Sequence, residues 1–214
     1  MPSPAPIRAR RIATFVAVAA ISVLLDQLSK QWAFTRLRDA EPVPVVAGLL
    51  EFDFAFNPGS AFGMLAQSSH ARVFFIAVTL LALAYMIWLV RRMPIAARSG
   101  FLALGLLFGG AIGNLIDRLV RVHEVRLRFH PTLHFDALME HPTRIADAIA
   151  RGRSYADIPR HGVIDFIVIH LGGDRAWPAF NLADTSLVLG VGLLALTLLR
   201  HGSALLGAGT HEQA

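Results

Sequence analysis

Four long apolar runs constrain this chain more strongly than any other feature of its sequence. They cover residues 12–28, 73–90, 101–116 and 182–199, and their acids, Asp26 and Asp184, lie near the ends of their runs. A transmembrane helix needs about 20 mainly apolar residues. Hydrophobic residues make up 55% of the 214 residues and charged residues only 16%, whereas a soluble domain carries about 25% charged residues. We therefore predict an all-α integral membrane protein whose residues 1–214 form one domain with four transmembrane helices.

Arginines beside these runs predict how the chain is oriented in the membrane, because short cytoplasmic loops carry an excess of Lys and Arg. The arginines that flank the first, second and fourth runs fall on one side of a four-span chain; they are Arg8, Arg10, Arg11, Arg91, Arg92, Arg98 and Arg200. Both tails, residues 1–11 and 201–214, are therefore predicted to be cytoplasmic. A cleaved signal peptide is the alternative for the first run, but its weak cleavage match at residues 17–19 lies inside the apolar run.

The segment between the first two spans has the pattern of a β-strand. Phe52, Phe54 and Phe56 alternate with Asp53 and Ala55, which is the period-two pattern of a half-buried strand. The following residues 57–60, Asn-Pro-Gly-Ser, are typical of a turn. We predict a small β-sheet, or cradle, on the outer face between spans one and two.

A long polar insertion, residues 121–161, separates spans three and four. It contains seven arginines and five acids, so its predicted outer location runs against the arginine rule, which long loops obey only weakly. A short surface helix is predicted within residues 140–160, limited by Pro142, Gly152 and Pro159.

Polar side chains at the span ends need an explanation, because a carboxylate at mid-bilayer costs about 2.5–3.5 kcal/mol on insertion scales. Asp26 and Lys30 are four residues apart on one helical face. They form either an interfacial ion pair that ends the helix or a buried pair that orders a neighbouring site. Asn114, Asp117 and Arg118 share a face at the end of span three. They mark either a functional site or simply the helix leaving the membrane.

Three glycines in span three, Gly105, Gly109 and Gly113, are each four residues apart. Small residues at this spacing allow helices to approach closely. We predict helix packing along this stripe rather than a flexible hinge.

Two acids suggest catalysis. Asp165 lies within an otherwise apolar run, residues 162–169, and Asp184 lies one turn after Asn181 at the start of span four. Asn181 is either a helix cap or a member of the site. Residues 172–174 and Pro178 supply a chain reversal that could bring the two acids together. Like-charge repulsion would then raise one pKa, giving the protonated and ionised carboxyls of an aspartic protease.

Other chemistries have less support in the sequence. The chain contains no cysteine, which excludes disulfides, thiolate nucleophiles and cysteine metal sites. It has no His-Glu-x-x-His pattern and no phosphate loop, since its single lysine is Lys30. Most histidines are scattered, although His170 lies close in sequence to Asp165. Basic residues do not alternate with aromatic ones as in a nucleic-acid groove, so no nucleic acid is expected as a partner.

Five segments together resemble signal peptidase II, the bacterial lipoprotein signal peptidase family. They are Asp26-Gln-Leu-Ser-Lys30, Phe56-Asn-Pro-Gly-Ser-Ala-Phe-Gly63, Gly109-Gly-Ala-Ile-Gly-Asn-Leu-Ile-Asp-Arg118, Gly162-Val-Ile-Asp-Phe166 and Trp177-Pro-Ala-Phe-Asn-Leu-Ala-Asp184. They occur in the family's order and cover most of residues 12–199. The sequence departs from the family between Arg118 and Gly162, where it has 43 residues instead of a handful. We interpret this insertion as a tolerated extension, although it could also cap the site or contact a partner.

The resemblance implies a membrane aspartic endopeptidase of the bacterial inner membrane, multi-pass, with its active site at the outer leaflet. Such an enzyme cuts prolipoproteins before a cysteine that carries diacylglycerol. The implied catalytic pair is Asp165 and Asp184. The implied substrate-binding residues are Asn57, Gly59, Asn114, Arg118 and Asn181. The implied supporting residues are Asp26, Lys30 and Asp117, the last with Arg118 as its expected partner.

The resemblance further implies that the enzyme needs no metal or organic cofactor and is inhibited by the cyclic peptide globomycin. Membrane lipid and the diacylglyceryl substrate are its expected partners, and we expect a monomer. Two rival functions remain at this point. A carrier or channel would need polar residues along a path through the bilayer, and a metalloenzyme with several Asp ligands would be sensitive to chelators.

Overall fold

The computed structural model describes residues 4–59, 70–128, 141–153, 155–173 and 175–206. The helices are α1 (Pro4–Arg36), α2 (His70–Arg92), α3 (Arg98–Val120), α4 (Pro142–Ala150) and α5 (Leu182–Leu206). The strands are β1 (Val43–Val46), β2 (Leu50–Asn57), β3 (Val122–Arg128), β4 (Tyr155–His161) and β5 (Val163–Ile169). The chain forms two compact units. The first contains residues 1–35, 79–113 and 180–214, and the second contains residues 36–78 and 114–179.

Four helices within the described residues are long and apolar enough to cross a membrane. They span Ala5–Arg36, Arg72–Arg92, Arg98–Val120 and Leu182–Arg200, with mean hydropathies between 1.7 and 2.6. Large apolar side chains such as Leu81, Val188 and Leu199 are exposed on them, as a lipid solvent allows. The four predicted spans are confirmed.

In the first unit the glycines of α3 bring helices into close contact. A Cβ at Gly109 would lie 2.7 Å from the carbonyl oxygen of Ala19 on α1, and one at Gly110 would lie 2.5 Å from that of Ala183 on α5. Gly105 similarly faces the backbone of α1. Because α3 is continuous, the packing interpretation of the glycine stripe is confirmed.

Two polar contacts fix the ends of helices within this unit. Arg8 donates to the carbonyl oxygen of Arg91, so the beginning of α1 lies beside the end of α2. Thr197 of α5 donates to the hydroxyl of Ser99 at the beginning of α3, at 2.8 Å. The first contact brings two of the arginine-rich flanks to the same end of the unit.

The second unit contains the predicted sheet, an antiparallel arrangement in the order β1-β2-β5. Its third strand, β5, comes from the chain between α3 and α5, which was not predicted. Ala55 pairs with Asp165 and Asn57 with Val163, and the register shifts between Phe52 and Ala55. Every residue of β2 is half-buried, so the alternation in its sequence does not separate a buried face from an exposed one.

The insertion forms a second, two-stranded sheet that was not predicted. β3 and β4 pair antiparallel. Val122 pairs with His161 at the base of the hairpin, and Arg128 pairs with Tyr155 at its other end. The backbone N–H of Gly162 donates to the carbonyl of Arg121 at 3.3 Å. The insertion therefore leaves and rejoins the chain at adjacent positions. Its residues 129–140 and 154 lie outside the described part of the chain.

The predicted short helix is confirmed as α4, which begins at Pro142. Ile145 and Ala148 of α4 form a small buried cluster with Ala156 and Ile158 of β4. After the helix, Gly152 adopts φ +68° and the N–H of Arg153 donates to the carbonyl of Ala148, the pattern of a Schellman C-cap. The insertion thus has a small core of its own.

Candidate active site

Asp165 lies in the middle of β5 with only 5% of its surface exposed. Nδ2 of Asn57 donates to its Oδ2 at 3.2 Å. The other end of the Asn57 amide is also engaged, since Oδ1 accepts the N–H of Gly59 at 3.0 Å. Gly59 has φ +111°, a conformation that favours glycine. The predicted turn is confirmed for residues 57–59, whereas residues 60–63 of the same motif lie outside the described part of the chain.

Gly162 allows the strand that carries Asp165 to approach β2 closely. A Cβ at Gly162 would lie 2.6 Å from the carbonyl oxygen of Asn57 and 2.8 Å from the ring of Phe56. Any larger residue would therefore have to push β5 away from β2 at the point where Asn57 reaches Asp165.

Asp117 connects the end of α3 to the same strand. It is fully buried. Its Oδ1 accepts a hydrogen bond from Nε of Arg121 at 2.8 Å, and its Oδ2 accepts the backbone N–H of Ile164 at 3.3 Å. Arg118 was the partner predicted for Asp117, and that pairing stays a prediction. The ion pair described for Asp117 is with Arg121, which was not singled out. The i, i+4 spacing of opposite charges on a helix was the signal available for it.

Arg118 and Asn114 lie along the last turns of α3. Nη1 of Arg118 donates to the carbonyl of Asn114 at 3.1 Å, and its guanidinium lies over the ring of Phe75, 5.2 Å from the centroid. Nε of Arg72 donates at 2.8 Å to the carbonyl of Arg118 and its Nη2 donates to that of Leu119. Arg72 therefore satisfies C-terminal carbonyls of α3, a role that no local pattern indicated.

Asp184 and Asn181 cap the beginning of α5 reciprocally. The N–H of Asp184 donates to Oδ1 of Asn181 at 2.9 Å, and the N–H of Asn181 donates to Oδ2 of Asp184 at 3.2 Å. This is the geometry of a capping box, so the capping interpretation of Asn181 is confirmed. Asn181 is fully buried, whereas Asp184 is half-buried.

Asp26 and Lys30 form a buried ion pair, and both side chains are 0% exposed with Nζ 2.8 Å from Oδ2. The pair does not end the helix, because α1 continues to Arg36. The buried interpretation is therefore correct and the helix-ending one is wrong. Oδ1 of Asp26 accepts the backbone N–H of Ala183 at 2.9 Å. Gln27 donates both to Oδ2 of Asp26 and to the carbonyl of Gly113.

His170 lies one residue beyond the end of β5 and far from Asp165. The two residues are separated by about 16 Å at the usual rise of a strand. Its Nε2 lies 2.9 Å from Oε1 of Glu51. The reversal that follows uses Gly172 and Gly173, both with positive φ, while Asp174 lies outside the described residues. No group of three or more His, Cys, Asp or Glu side chains suited to hold a metal is found among the described residues.

The candidate residues thus form two groups, each with its own hydrogen bonds. The group in the first unit contains Asp26, Lys30, Asn181 and Asp184. The group in the second unit contains Asn57, Gly59, Asn114, Asp117, Arg118 and Asp165.

Comparison with known proteins identifies the family of this chain. The family model described as Signal peptidase (SPase) II matches residues 18–200. The chain belongs to the signal peptidase II family. As a member of this family it is a peptidase and a multi-pass bacterial membrane protein, so the resemblance found in the sequence is confirmed.

Individual lipoprotein signal peptidases match this chain over most of their length. The lipoprotein signal peptidase of Geobacter metallireducens is 33% identical over 186 residues, which cover 87% of this chain and 90% of that protein. That of Syntrophotalea carbinolica is 32% identical and covers 86% and 90%. A bacterial membrane enzyme solved by the in meso method at 1.9 Å resolution is 25% identical with a TM-score of 0.60, covering 87% of this chain and 93% of that one.

Proposed function

We propose that this signal peptidase II removes signal peptides from prolipoproteins by cutting before the diacylglyceryl-modified cysteine, with Asp165 and Asp184 as an aspartic dyad. The observation that carries the proposal is that both acids accept a hydrogen bond from an asparagine. An asparagine donates to Oδ2 of each, Nδ2 of Asn57 to Asp165 and the backbone N–H of Asn181 to Asp184. Such hydrogen bonds orient carboxylates for chemistry before the substrate binds.

The proposed mechanism divides the two carboxyls into a base and an acid. The ionised aspartate takes a proton from water, which attacks the scissile carbonyl carbon. The protonated aspartic acid gives its proton to the carbonyl oxygen, so that the addition of water produces a tetrahedral gem-diol. Collapse of this intermediate breaks the C–N bond while the dyad protonates the leaving amine. Two carboxyls that share a site suit this division, because both cannot ionise freely.

Five residues are proposed to bind the substrate backbone beside the dyad. They are Asn57, Gly59, Asn114, Arg118 and Asn181. The side chains of Asn57, Arg118 and Asn181 make hydrogen bonds that fix the turn at Gly59, the end of α3 and the beginning of α5. This arrangement would let main-chain groups and the Arg118 guanidinium face an extended peptide. The diacylglyceryl chains would stay in the bilayer beside the apolar helices. This proposal requires both tails in the cytoplasm and the dyad at the outer leaflet of the inner membrane.

The test is cleavage of a purified diacylglyceryl prolipoprotein by the detergent-solubilised enzyme, with EDTA present. Asp165→Asn and Asp184→Asn should each lower kcat by at least about 10²-fold, since acid–base groups contribute about 10²–10⁴-fold. Asp53→Asn is the matched control, because Asp53 is a half-buried aspartate on β2 in the same sheet. Its turnover should stay close to that of the wild type.

Melting temperatures should accompany these rates, so that loss of the fold is not mistaken for loss of chemistry. Near wild-type turnover by a folded Asp165→Asn or Asp184→Asn variant would remove that residue from the dyad. Activity that EDTA abolishes and a divalent metal restores would support the metalloenzyme alternative instead.

A further inference from the structure

The two candidate catalytic aspartates are each preceded by a residue whose backbone N–H is held by a second, buried aspartate. Ala183 precedes Asp184, and its N–H donates to Oδ1 of Asp26 at 2.9 Å. Ile164 precedes Asp165, and its N–H donates to Oδ2 of Asp117 at 3.3 Å. The same contact thus recurs on two different elements, a helix beginning and a strand.

Each of these buried aspartates is in turn paired with a cation four residues later in the chain, Lys30 on the same helix and Arg121 directly after the end of α3. Nζ of Lys30 lies 2.8 Å from Asp26, and Nε of Arg121 lies 2.8 Å from Asp117. Both aspartates are 0% exposed, while Lys30 is 0% and Arg121 15% exposed. Burying a carboxylate without a cation is strongly unfavourable, so an unpaired carboxylate would not stay buried in its charged form. The cation therefore holds the carboxylate in place as an acceptor for the N–H beside the catalytic residue.

We infer that Arg121 is a positioning residue for Asp165, the counterpart of Lys30 for Asp184. The inference rests on the proposed dyad. Arg121 acts through Asp117, which holds Ile164, and it also holds β5 through its main chain, since its carbonyl accepts the N–H of Gly162 at 3.3 Å. Two alternate N–H groups at the start of β5, those of Gly162 and Ile164, are thus fixed by the end of α3.

This role explains how the enzyme accommodates its long insertion. The insertion begins at Arg121 and ends at His161, which pairs with Val122. Its first residue, Arg121, and the residue that follows it, Gly162, are the pair that anchors β5. The extra residues therefore extend from a fixed base, and the position of Asp165 depends on Arg121 rather than on the length of the insertion.

The test compares Arg121→Gln with Arg121→Lys in the full-length, detergent-solubilised enzyme. Arg121→Gln should lower kcat by about 10- to 100-fold, because small misplacements of catalytic groups cost about 10²-fold. KM should change less than about twofold, since a positioning residue does not contact substrate. Arg121→Lys, which keeps a cation, should restore much of kcat. Arg126→Gln is the matched control, because Arg126 forms an exposed pair with Asp157 in the same hairpin.

Hydrogen exchange followed by mass spectrometry supplies a readout that does not depend on activity. A peptide covering residues 162–169 should exchange faster in Arg121→Gln and in Asp117→Asn than in the wild type, and at wild-type rate in Arg126→Gln. Unchanged exchange and kcat in Arg121→Gln would overturn the inference. So would a rise in KM alone, or a loss of kcat that Arg121→Lys does not restore. Faster exchange with unchanged kcat would overturn it as well, because β5 would then loosen at no cost to catalysis. The turnover of Asp165→Asn tests the proposed dyad separately, so failure of the inference and failure of the proposed function are distinguishable.

Discussion

Replacing Asp26 with Asn should destabilise the protein by about 3–5 kcal/mol, the usual cost of breaking a buried ion pair by removing one partner. Both Asp26 and Lys30 are 0% exposed, so Asp26→Asn leaves a buried ammonium without its carboxylate. The asparagine amide can keep the hydrogen bond from Ala183, but it cannot neutralise Lys30. Unfolding of the detergent-solubilised protein by denaturant, followed by circular dichroism, measures the change.

A double-mutant cycle isolates the pair from other effects of Asp26→Asn. In Asp26→Asn/Lys30→Met no buried charge of the pair remains, and replacing both partners of a buried pair is often close to neutral. The double variant should therefore lose less stability than the sum of the two single variants, by about 2–3 kcal/mol. Asp39→Asn is the control, since its pair with Arg38 is exposed and should contribute less than about 1 kcal/mol. Single variants whose costs add within about 0.5 kcal/mol would refute the reasoning.

Two further predictions concern stability in each unit. Gly113→Ala should destabilise the protein by about 1–3 kcal/mol, because a Cβ there would lie 2.5 Å from Oδ2 of Asp26. Gly192→Ala is the control and should be close to neutral, because a Cβ there meets open space. Equal shifts in the melting temperatures of the two variants would contradict this prediction. The pKa of His161 is lowered from its ordinary value of 6.5 by burial and then by the charge of Arg72. Above pH 6.5 the histidine is neutral in both states, and as the pH falls below 6.5 the unfolded chain takes up the proton first, so stability decreases. Between about pH 7.5 and about pH 5.5, the melting temperature of His161→Gln should fall less than that of the wild type. Equal falls in the two melting temperatures would show that His161 does not cause the decrease.

The parts of this structure that could be predicted from sequence are those set by local spacing and composition. The four spans follow from uninterrupted apolar runs, because backbone groups in lipid must be satisfied within a helix. The capping box of Asn181 and Asp184 follows from a separation of three residues at a helix beginning. The pairs of Asp26 with Lys30 and of Asp117 with Arg121 follow from a separation of four, although only the first was predicted.

What could not be predicted is which distant residues these side chains contact. Asp26 binds the N–H of Ala183, 157 residues away, and Asn57 binds Asp165, 108 residues away. The first contact leaves no signal in the local pattern, because the N–H of Ala183 is like any other backbone N–H. The second arises only because β2 pairs with β5. The pairing of β2 with β5 could not be predicted from local pattern either, because its register shifts between Phe52 and Ala55.

The insertion illustrates why charge alone was a poor guide to structure. Its surplus of arginines suggested only a conflict with membrane orientation, whereas in the described residues several of those arginines are used locally. Arg121 pairs with Asp117, Arg126 with Asp157, and Arg144 with Glu124. Because the two ends of the insertion are held together by the base of a hairpin, closing the loop costs little more as it lengthens. An extension at this point can therefore vary freely, provided that its first residue, Arg121, still anchors the strand that carries Asp165.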